Sequence, residues 1–149
     1  MYADAFVFAV LRPYPGAAGK ARRGRKTTAV SFSNQIAILD RAVALERVGG
    51  DSELLQEMAQ LFLDEYPSQL DAVRAAVRAR DAKALERSAH SLKGSVGNFG
   101  AAAAQDAAFR LEMIGRRGEM QEADSLLDNL ESALSLLEPE MQSLADSAY

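Results

Sequence analysis

The sequence predicts an all-α protein, an up-and-down antiparallel four-helix bundle with an extra short N-terminal helix. From Asn34 onward, apolar residues recur at the three- and four-residue spacing of amphipathic helices. No stretch shows the sustained two-residue alternation that is typical of strands. The connections between the helical segments are short, which makes neighbouring helices antiparallel, and each segment carries one apolar stripe that needs a partner.

The first predicted element is a short helix over residues 35–47, which the glycine pair Gly49 and Gly50 ends. Asp51 follows as the expected N-cap of a second helix. We expect Pro67 to break or kink that helix, because proline cannot donate the backbone hydrogen bond of a helix interior.

The remaining elements follow at regular intervals. Asp81 is the expected N-cap of a helix that runs to about Phe99. A further helix covers about residues 101–117, and Gly118 separates it from the last one, over about 120–146. Together with the second helix, these segments form the predicted four-helix bundle.

Charge divides the chain into two regions. Residues 1–33 hold six basic residues and one acidic residue among prolines and glycines, so we expect a basic, flexible tail or linker there. Residues 34–149, the predicted bundle domain, hold 11 basic and 20 acidic residues, which argues against nucleic-acid binding. No apolar run approaches the roughly 18 residues of a membrane helix. We therefore expect a cytoplasmic protein with neither nucleic acid nor membrane as a partner.

The residue inventory excludes several kinds of chemistry. The chain has no cysteine, which excludes a disulfide scaffold, a thiolate metal site and a cysteine nucleophile. It has one histidine, His90, so a zinc site built on several histidines is also excluded. Neither a phosphate-binding P-loop nor a dinucleotide fingerprint occurs. The sequence accordingly predicts no metal site and no cofactor.

His90 is predicted to point away from the core. At about 100° per residue, it lies about 140° from the centre of the apolar stripe of its helix. The stripe consists of Leu85, Ala89, Leu92, Val96 and Phe99. The residues that share the face of His90 are Lys83, Glu86, Arg87, Lys93, Gly94 and Gly97.

Two glycines and a lysine distinguish this face from an ordinary solvated one. A glycine inside a helix destabilises it by about 1 kcal/mol relative to alanine, and both Gly94 and Gly97 flank His90. We expect both glycines to leave open space, so that another protein can approach the imidazole. Lys93 adds positive charge one turn away. A neutral ring nitrogen beside a cation suits the acceptance of a phosphoryl group.

The run AHSLKGSVGNFGA, from Ala89 to Ala101, resembles the signature of histidine-containing phosphotransfer (HPt) domains of bacterial two-component phosphorelays. The segments GGDSELLQEMAQLFLDEYPSQL and RARDAKALERSAH are similar to the same family, and the resemblance covers about residues 36–140. It implies that His90 accepts a phosphoryl group from a receiver-domain aspartate and passes it to another receiver. It also implies that Lys93 helps to neutralise this group and that Gly94 gives the donor domain access.

The resemblance also implies the partners. These are response-regulator receiver domains, which supply Mg²⁺, and a hybrid sensor histidine kinase. The chain itself would be a stoichiometric phosphocarrier rather than an enzyme, without a kinase activity or an ATP site. We expect the receiver to dock on the face around His90, with the first helix as a possible flank. The predicted partner-binding residues are Lys83, Glu86, Arg87 and Gly97.

Two other interpretations stay open at this point. A helical interaction module that is not phosphorylated would explain every helix, but it would leave the face around His90 without a reason. A phosphotransfer domain cut from a hybrid or chemotaxis kinase would share the motif. The dimerisation domain of a sensor kinase fits less well, because Ser91 and Ser95 stand where that class typically has an acid and a proline.

Overall fold

A computed structural model describes residues 38–147 of the chain. Within this range it contains five α-helices and no strand. They are α1 (Arg41–Arg47), α2 (Ser52–Ala79), α3 (Ala82–Gly97), α4 (Ala102–Arg117) and α5 (Ala123–Asp146). The predicted tail over residues 1–33 lies outside the described residues.

Helices α2 to α5 form the predicted up-and-down bundle. α3 packs on α4 and α2 packs on α5, while α2 also contacts α3 and α4 contacts α5. The short helix α1 contacts α2 and adds Ala44 to the core. The predicted fold class is therefore confirmed, including the extra N-terminal helix.

The apolar stripes of the four long helices meet in one continuous core. The large leucine and methionine side chains with almost no exposure are Leu55, Leu85, Leu92, Leu111, Leu130, Leu137, Met141 and Leu144. Removing each such side chain from water stabilises the fold by about 2 kcal/mol. A rigid core of this kind holds the surface residues of α3 and α4 in fixed positions.

Aspartate caps begin the helices where the sequence places them. The carboxylate of Asp51 accepts hydrogen bonds from the backbone N–H groups of Glu53 and Leu54, at 3.1 and 3.0 Å. Asp81 accepts from the N–H of Ala84 at 3.1 Å. Both caps satisfy donors that have no partner inside the helix, which confirms the predicted starts of α2 and α3.

The first helix begins later than predicted. It starts at Arg41, and Asp40 is its N-cap, accepting from the N–H of Val43 at 3.1 Å. The backbone N–H of Asp40 also donates to the carbonyl of Phe99 at 2.9 Å, which ties the start of α1 to the turn after α3. This tertiary contact, which periodicity does not show, sets the boundary. Residues 35–37 of the predicted helix lie outside the described residues.

Pro67 does not break the second helix. α2 is continuous through this residue, which lies on its exposed side. The carbonyl group that loses its helical hydrogen bond on that side can bond to water instead. The other differences are small: α3 ends at Gly97 rather than near Phe99, and α5 begins at Ala123 rather than near residue 120.

Helices α3 and α4 approach each other closely at Gly115. A Cβ atom on Gly115 would lie 2.7 Å from the backbone nitrogen of Glu86 and 2.8 Å from the carbonyl oxygen of Ala82. Because these are backbone atoms, they cannot turn away as a side chain does. Glycine at this position therefore allows the two helices to lie closer than any other residue would.

We expect alanine substitutions at two helical glycines to have opposite effects. Gly115→Ala should lower the free energy of unfolding by about 1 kcal/mol, because the clash with α3 exceeds the gain in helix propensity. Gly94→Ala should raise it by up to about 1 kcal/mol, because no atom lies within 4 Å of the new Cβ. Urea unfolding of both variants measures this. Stabilisation by Gly115→Ala would contradict the close approach.

Candidate functional site

His90 lies near the middle of α3, and its side chain is 66% exposed. The apolar stripe of α3 faces inward as predicted, since Leu85, Ala89 and Leu92 are fully buried. Helical geometry therefore places the imidazole at the surface while the rest of the helix is anchored in the core.

The imidazole is hydrogen-bonded to Glu112 of α4 on the side that faces the protein. Oxygen Oε2 of Glu112 lies 3.0 Å from His90 Nδ1, and the Glu112 side chain is only 3% exposed. The sequence interpretation did not include Glu112. One signal was available: it follows Ala108 by four residues and precedes Gly115 by three, which places a charged residue at the edge of the buried face of α4.

Three donors surround this buried carboxylate. Besides His90, Lys93 Nζ lies 2.8 Å from Oε1, and a terminal guanidinium nitrogen of Arg116 lies 3.0 Å from Oε2. Burial by itself would raise the pKa of Glu112. The hydrogen bonds from Lys93 and His90 and the charge of Lys93 outweigh that effect and lower its pKa below the ordinary value of 4.5. Glu112 is therefore ionised at neutral pH.

An ionised Glu112 determines the tautomer of His90. A carboxylate only accepts hydrogen bonds, so the neutral imidazole must carry its proton on Nδ1. Nitrogen Nε2 then has a free lone pair, and no group within residues 38–147 makes a hydrogen bond to it. The arrangement places a nucleophilic nitrogen at the surface with a fixed orientation.

Lys93 is more constrained than the sequence suggested. Its side chain is 24% exposed, its ammonium group is paired with Glu112, and Nζ lies 5.1 Å from the centre of the Phe109 ring. The positive charge is thus close to His90, as expected, but it neutralises a buried carboxylate instead of facing solvent.

The predicted partner-binding residues have different environments. Glu86 Oε2 accepts from Arg116 Nε at 2.9 Å, so Glu86 belongs to the same charged network as Glu112. Lys83 and Arg87 are exposed, and among residues 38–147 neither has an ion pair. Arg87 lies one helical turn before His90, and Lys83 lies two turns before it.

The two glycines near His90 also differ. Gly94 has open space where a side chain would be, as expected. Gly97 does not: a Cβ atom there would lie 2.8 Å from the side-chain nitrogen of Gln105 in α4. The expectation that Gly97 leaves open space is therefore wrong, because a side chain from the neighbouring helix covers it.

A shallow groove of about 110 Å³ lies between α2 and α3, beyond Gly94. Its walls are formed by Met58, Leu61, Phe62, Glu65, Gln69, Ser95, Asn98 and Phe99. Leu61 is 54% exposed at its edge, and Oε1 of Gln69 is buried without a hydrogen-bond partner. Sequence periodicity could not reveal this groove, because two helices form it together.

Residues 38–147 contain no group of three or more histidine, cysteine, aspartate or glutamate side chains arranged to hold a metal ion. None of the five helices combines the length and the apolar character that a membrane span requires.

We expect the ionised carboxylate of Glu112 to stabilise the fold above pH 4.5, and this contribution to be lost as the pH falls through its lowered folded-state pKa. Glu112→Gln should therefore lower the free energy of unfolding by about 1 to 2 kcal/mol at pH 7, with a smaller difference in acid. Urea unfolding between pH 3 and 7 measures this. The exposed control Glu119→Gln should change little. A difference for Glu112→Gln that does not become smaller as the pH falls from 4.5 to 3 would contradict this account.

Comparison with known proteins agrees with this geometry. The family model described as the Hpt domain matches residues 57–144. A solved structure, histidine-containing phosphotransfer protein B (HptB) from Pseudomonas aeruginosa PAO1, is similar with a TM-score of 0.69 and 27% sequence identity. The match covers 75% of this chain and 97% of that chain. A search of curated proteins finds no match.

The family match extends over more than half of the chain and includes α3, α4 and the whole charged network around His90. The chain therefore belongs to the Hpt domain family, a family of phosphocarriers rather than kinases, and acts in histidine phosphotransfer in phosphorelay signalling.

Proposed function

We propose that Nε2 of His90 is the atom that receives and donates the phosphoryl group. The observation that carries this proposal is the 3.0 Å contact between His90 Nδ1 and the buried Glu112, which leaves Nε2 unprotonated and directed outward. His90 is also the only histidine in the chain. A family that transfers phosphate through histidine has no other acceptor available here.

The transfer step follows from this tautomer. The lone pair of Nε2 attacks phosphorus, an N–P bond forms, and the P–O bond to the receiver aspartate breaks, leaving that aspartate as a carboxylate. The ring becomes an imidazolium that still carries its proton on Nδ1. Glu112 accepts a hydrogen bond from this proton in both states, so its charge stabilises the cationic ring more than the neutral one.

Lys93 supplies positive charge for the transferred group. Its ammonium lies one helical turn from His90 and has three donors, of which Glu112 Oε1 takes one. The transition state of phosphoryl transfer is loose, so positioning and charge neutralisation provide most of the help. The fixed imidazole provides the positioning, and Lys93 provides the positive charge.

The partners are receiver domains of response regulators, which supply Mg²⁺, and a hybrid sensor histidine kinase. The chain acts stoichiometrically, with no kinase activity or ATP site of its own. The free cations Lys83 and Arg87 suit the acidic active site of a receiver. Glu86 supports the docking face through Arg116, and Gly97 belongs to its edge beside Gln105.

We infer that the docking face includes the groove between α2 and α3. Its exposed Leu61 and half-buried Met58 offer apolar area in a groove that Ser95, the residue after Gly94, also lines; a basic rim alone offers no such area. Helix α1 is a more distant flank, because Asp40 contacts Phe99, about 14 Å along the helix axis from His90. A small apolar patch with a charged rim suits a transient complex.

Replacing His90 tests the acceptor directly. His90→Gln should fold with a stability within about 1 kcal/mol of the wild type, because the side chain is exposed, and should accept no phosphoryl group. Incubation with a phosphorylated receiver or with phosphoramidate, followed by detection of acid-labile phosphate, measures acceptance. Ser91→Ala, at the next exposed position, is the control and should accept normally. Labelling of His90→Gln at the normal rate would disprove the assignment and favour an interaction module.

Enlarging Gly94 tests the docking face. Gly94→Leu should slow transfer from a receiver about tenfold or more, because the new side chain displaces the partner from the in-line geometry. Phosphorylation by the small donor phosphoramidate should fall much less, and stability should hold or rise. Stopped-flow transfer and urea unfolding measure the two effects. Equal slowing with both donors would show that Gly94 affects the imidazole itself rather than access.

A further inference from the structure

Once His90 is phosphorylated, two anionic groups can pair with the ammonium of Lys93: the carboxylate of Glu112 and the phosphoryl group. Before the reaction its ammonium neutralises Oε1 of Glu112, at 2.8 Å. Afterwards a phosphoryl dianion is present one helical turn away. A lysine that turns toward the phosphoryl group withdraws charge from a carboxylate that is only 3% exposed. A buried charge that loses its partner is strongly unfavourable.

Arg116 is placed to neutralise Glu112 when Lys93 turns away from it. It contacts Glu112 at Oε2, which it shares with His90, whereas Lys93 contacts Oε1, so the two cations do not compete for the same oxygen. Arg116 Nε also donates to Glu86 at 2.9 Å. The planar guanidinium is therefore held between one carboxylate of α3 and one of α4, which fixes its direction.

We propose that Arg116 is a positioning residue that keeps Glu112 neutralised while Lys93 turns from Glu112 to the phosphoryl group. This inference rests on the proposed phosphorylation of His90. The Phe109 ring gives the lysine an apolar surface over which its ammonium can turn, with Nζ 5.1 Å from the ring centre. Arg116 acts through Glu112 and Lys93 and does not itself contact the imidazole.

The net charge of the network supports this division of roles. Lys93 and Arg116 balance Glu86 and Glu112 when His90 is neutral and unphosphorylated. Phosphorylation adds a phosphoryl dianion and one positive charge on the imidazolium, so the network gains one net negative charge that a cation must meet. Arg116 is committed to two carboxylates, whereas Lys93 has one, so Lys93 is the cation that moves.

A double-mutant cycle on the phosphorylated protein tests the inference. Phosphoramidate supplies the phosphoryl group: its P–N bond breaks, ammonia leaves and the N–P bond to His90 forms. The proton affinity of the bound phosphoryl group is then followed by ³¹P NMR titration. In the wild-type background, Lys93→Ala should raise this affinity about fivefold, because the dianion loses its cation. In the Arg116→Gln background, the same substitution should change it less than about twofold, because Glu112 retains the lysine.

Matched controls separate this role from a structural one. Arg117→Gln removes the next arginine of α4, which has the same exposure but pairs with Glu119 at 3.7 Å. The Lys93→Ala effect should stay about fivefold in that background. Arg116→Lys keeps the charge and should largely preserve the effect, which maintains the test if Arg116→Gln folds poorly. An equal Lys93→Ala effect with and without Arg116 would overturn the proposal.

A second measurement needs no phosphorylation. Carboxyl ¹³C NMR follows the titration of Glu112 in the unmodified protein. We expect Glu112 to remain ionised at neutral pH in Lys93→Ala and in Arg116→Gln, and its pKa to rise in the double variant by more than the two single effects together. If Lys93→Ala alone raises it as far as the double variant, Arg116 does not neutralise Glu112 and the proposal fails.

The two measurements also distinguish this proposal from the proposed function. A wild-type protein that accepts no phosphoryl group from phosphoramidate or a receiver would disprove the proposed acceptor and, with it, the movement of Lys93. The Glu112 titration would still decide whether Arg116 neutralises the carboxylate. If the wild type is phosphorylated but the effect of Lys93→Ala is the same with and without Arg116, His90 remains the acceptor and the proposed role of Arg116 is disproved.

Discussion

The buried carboxylate of Glu112 is the constraint on which the site depends. An ionised group that is almost completely removed from water persists only when donors surround it. His90 and Lys93 of α3 and Arg116 of α4 provide those donors, at 2.8 to 3.0 Å. Because two of the three come from the neighbouring helix, the carboxylate also fixes the register of α3 against α4.

The packing of these two helices makes the contact possible. At Gly115 the backbone of α4 approaches α3 so closely that a methyl group would not fit. Because the helices are this close, the side chain of Glu112, one turn before Gly115, is long enough to reach the imidazole of His90. The fully buried leucines of both helices, such as Leu85, Leu92 and Leu111, hold this spacing. A site built on two rigid helices keeps its geometry better than one built on loops.

The surface around the histidine combines features that suit a carrier. The network beneath His90 is internally balanced, while Lys83 and Arg87 leave positive charge at the edge of an otherwise acidic domain. Exposed rim charges accelerate encounter more than they strengthen a complex. The apolar groove between α2 and α3 is small. A partner can therefore dock quickly, react and leave, which sequential transfer between receivers requires.

The sequence by itself determined the helices, the caps at Asp51 and Asp81, and the exposure of His90, because each depends on residues within one or two turns of the same helix. It did not determine the start of α1, which a bond from Asp40 to Phe99 sets. Nor could it show that Gln105 covers Gly97, or that Glu112, 22 residues from His90, holds the imidazole. The first of these features depends on a contact between α1 and the turn after α3, and the other two arise where α3 meets α4. Only the packing of separate helices decides which side chains share such a space.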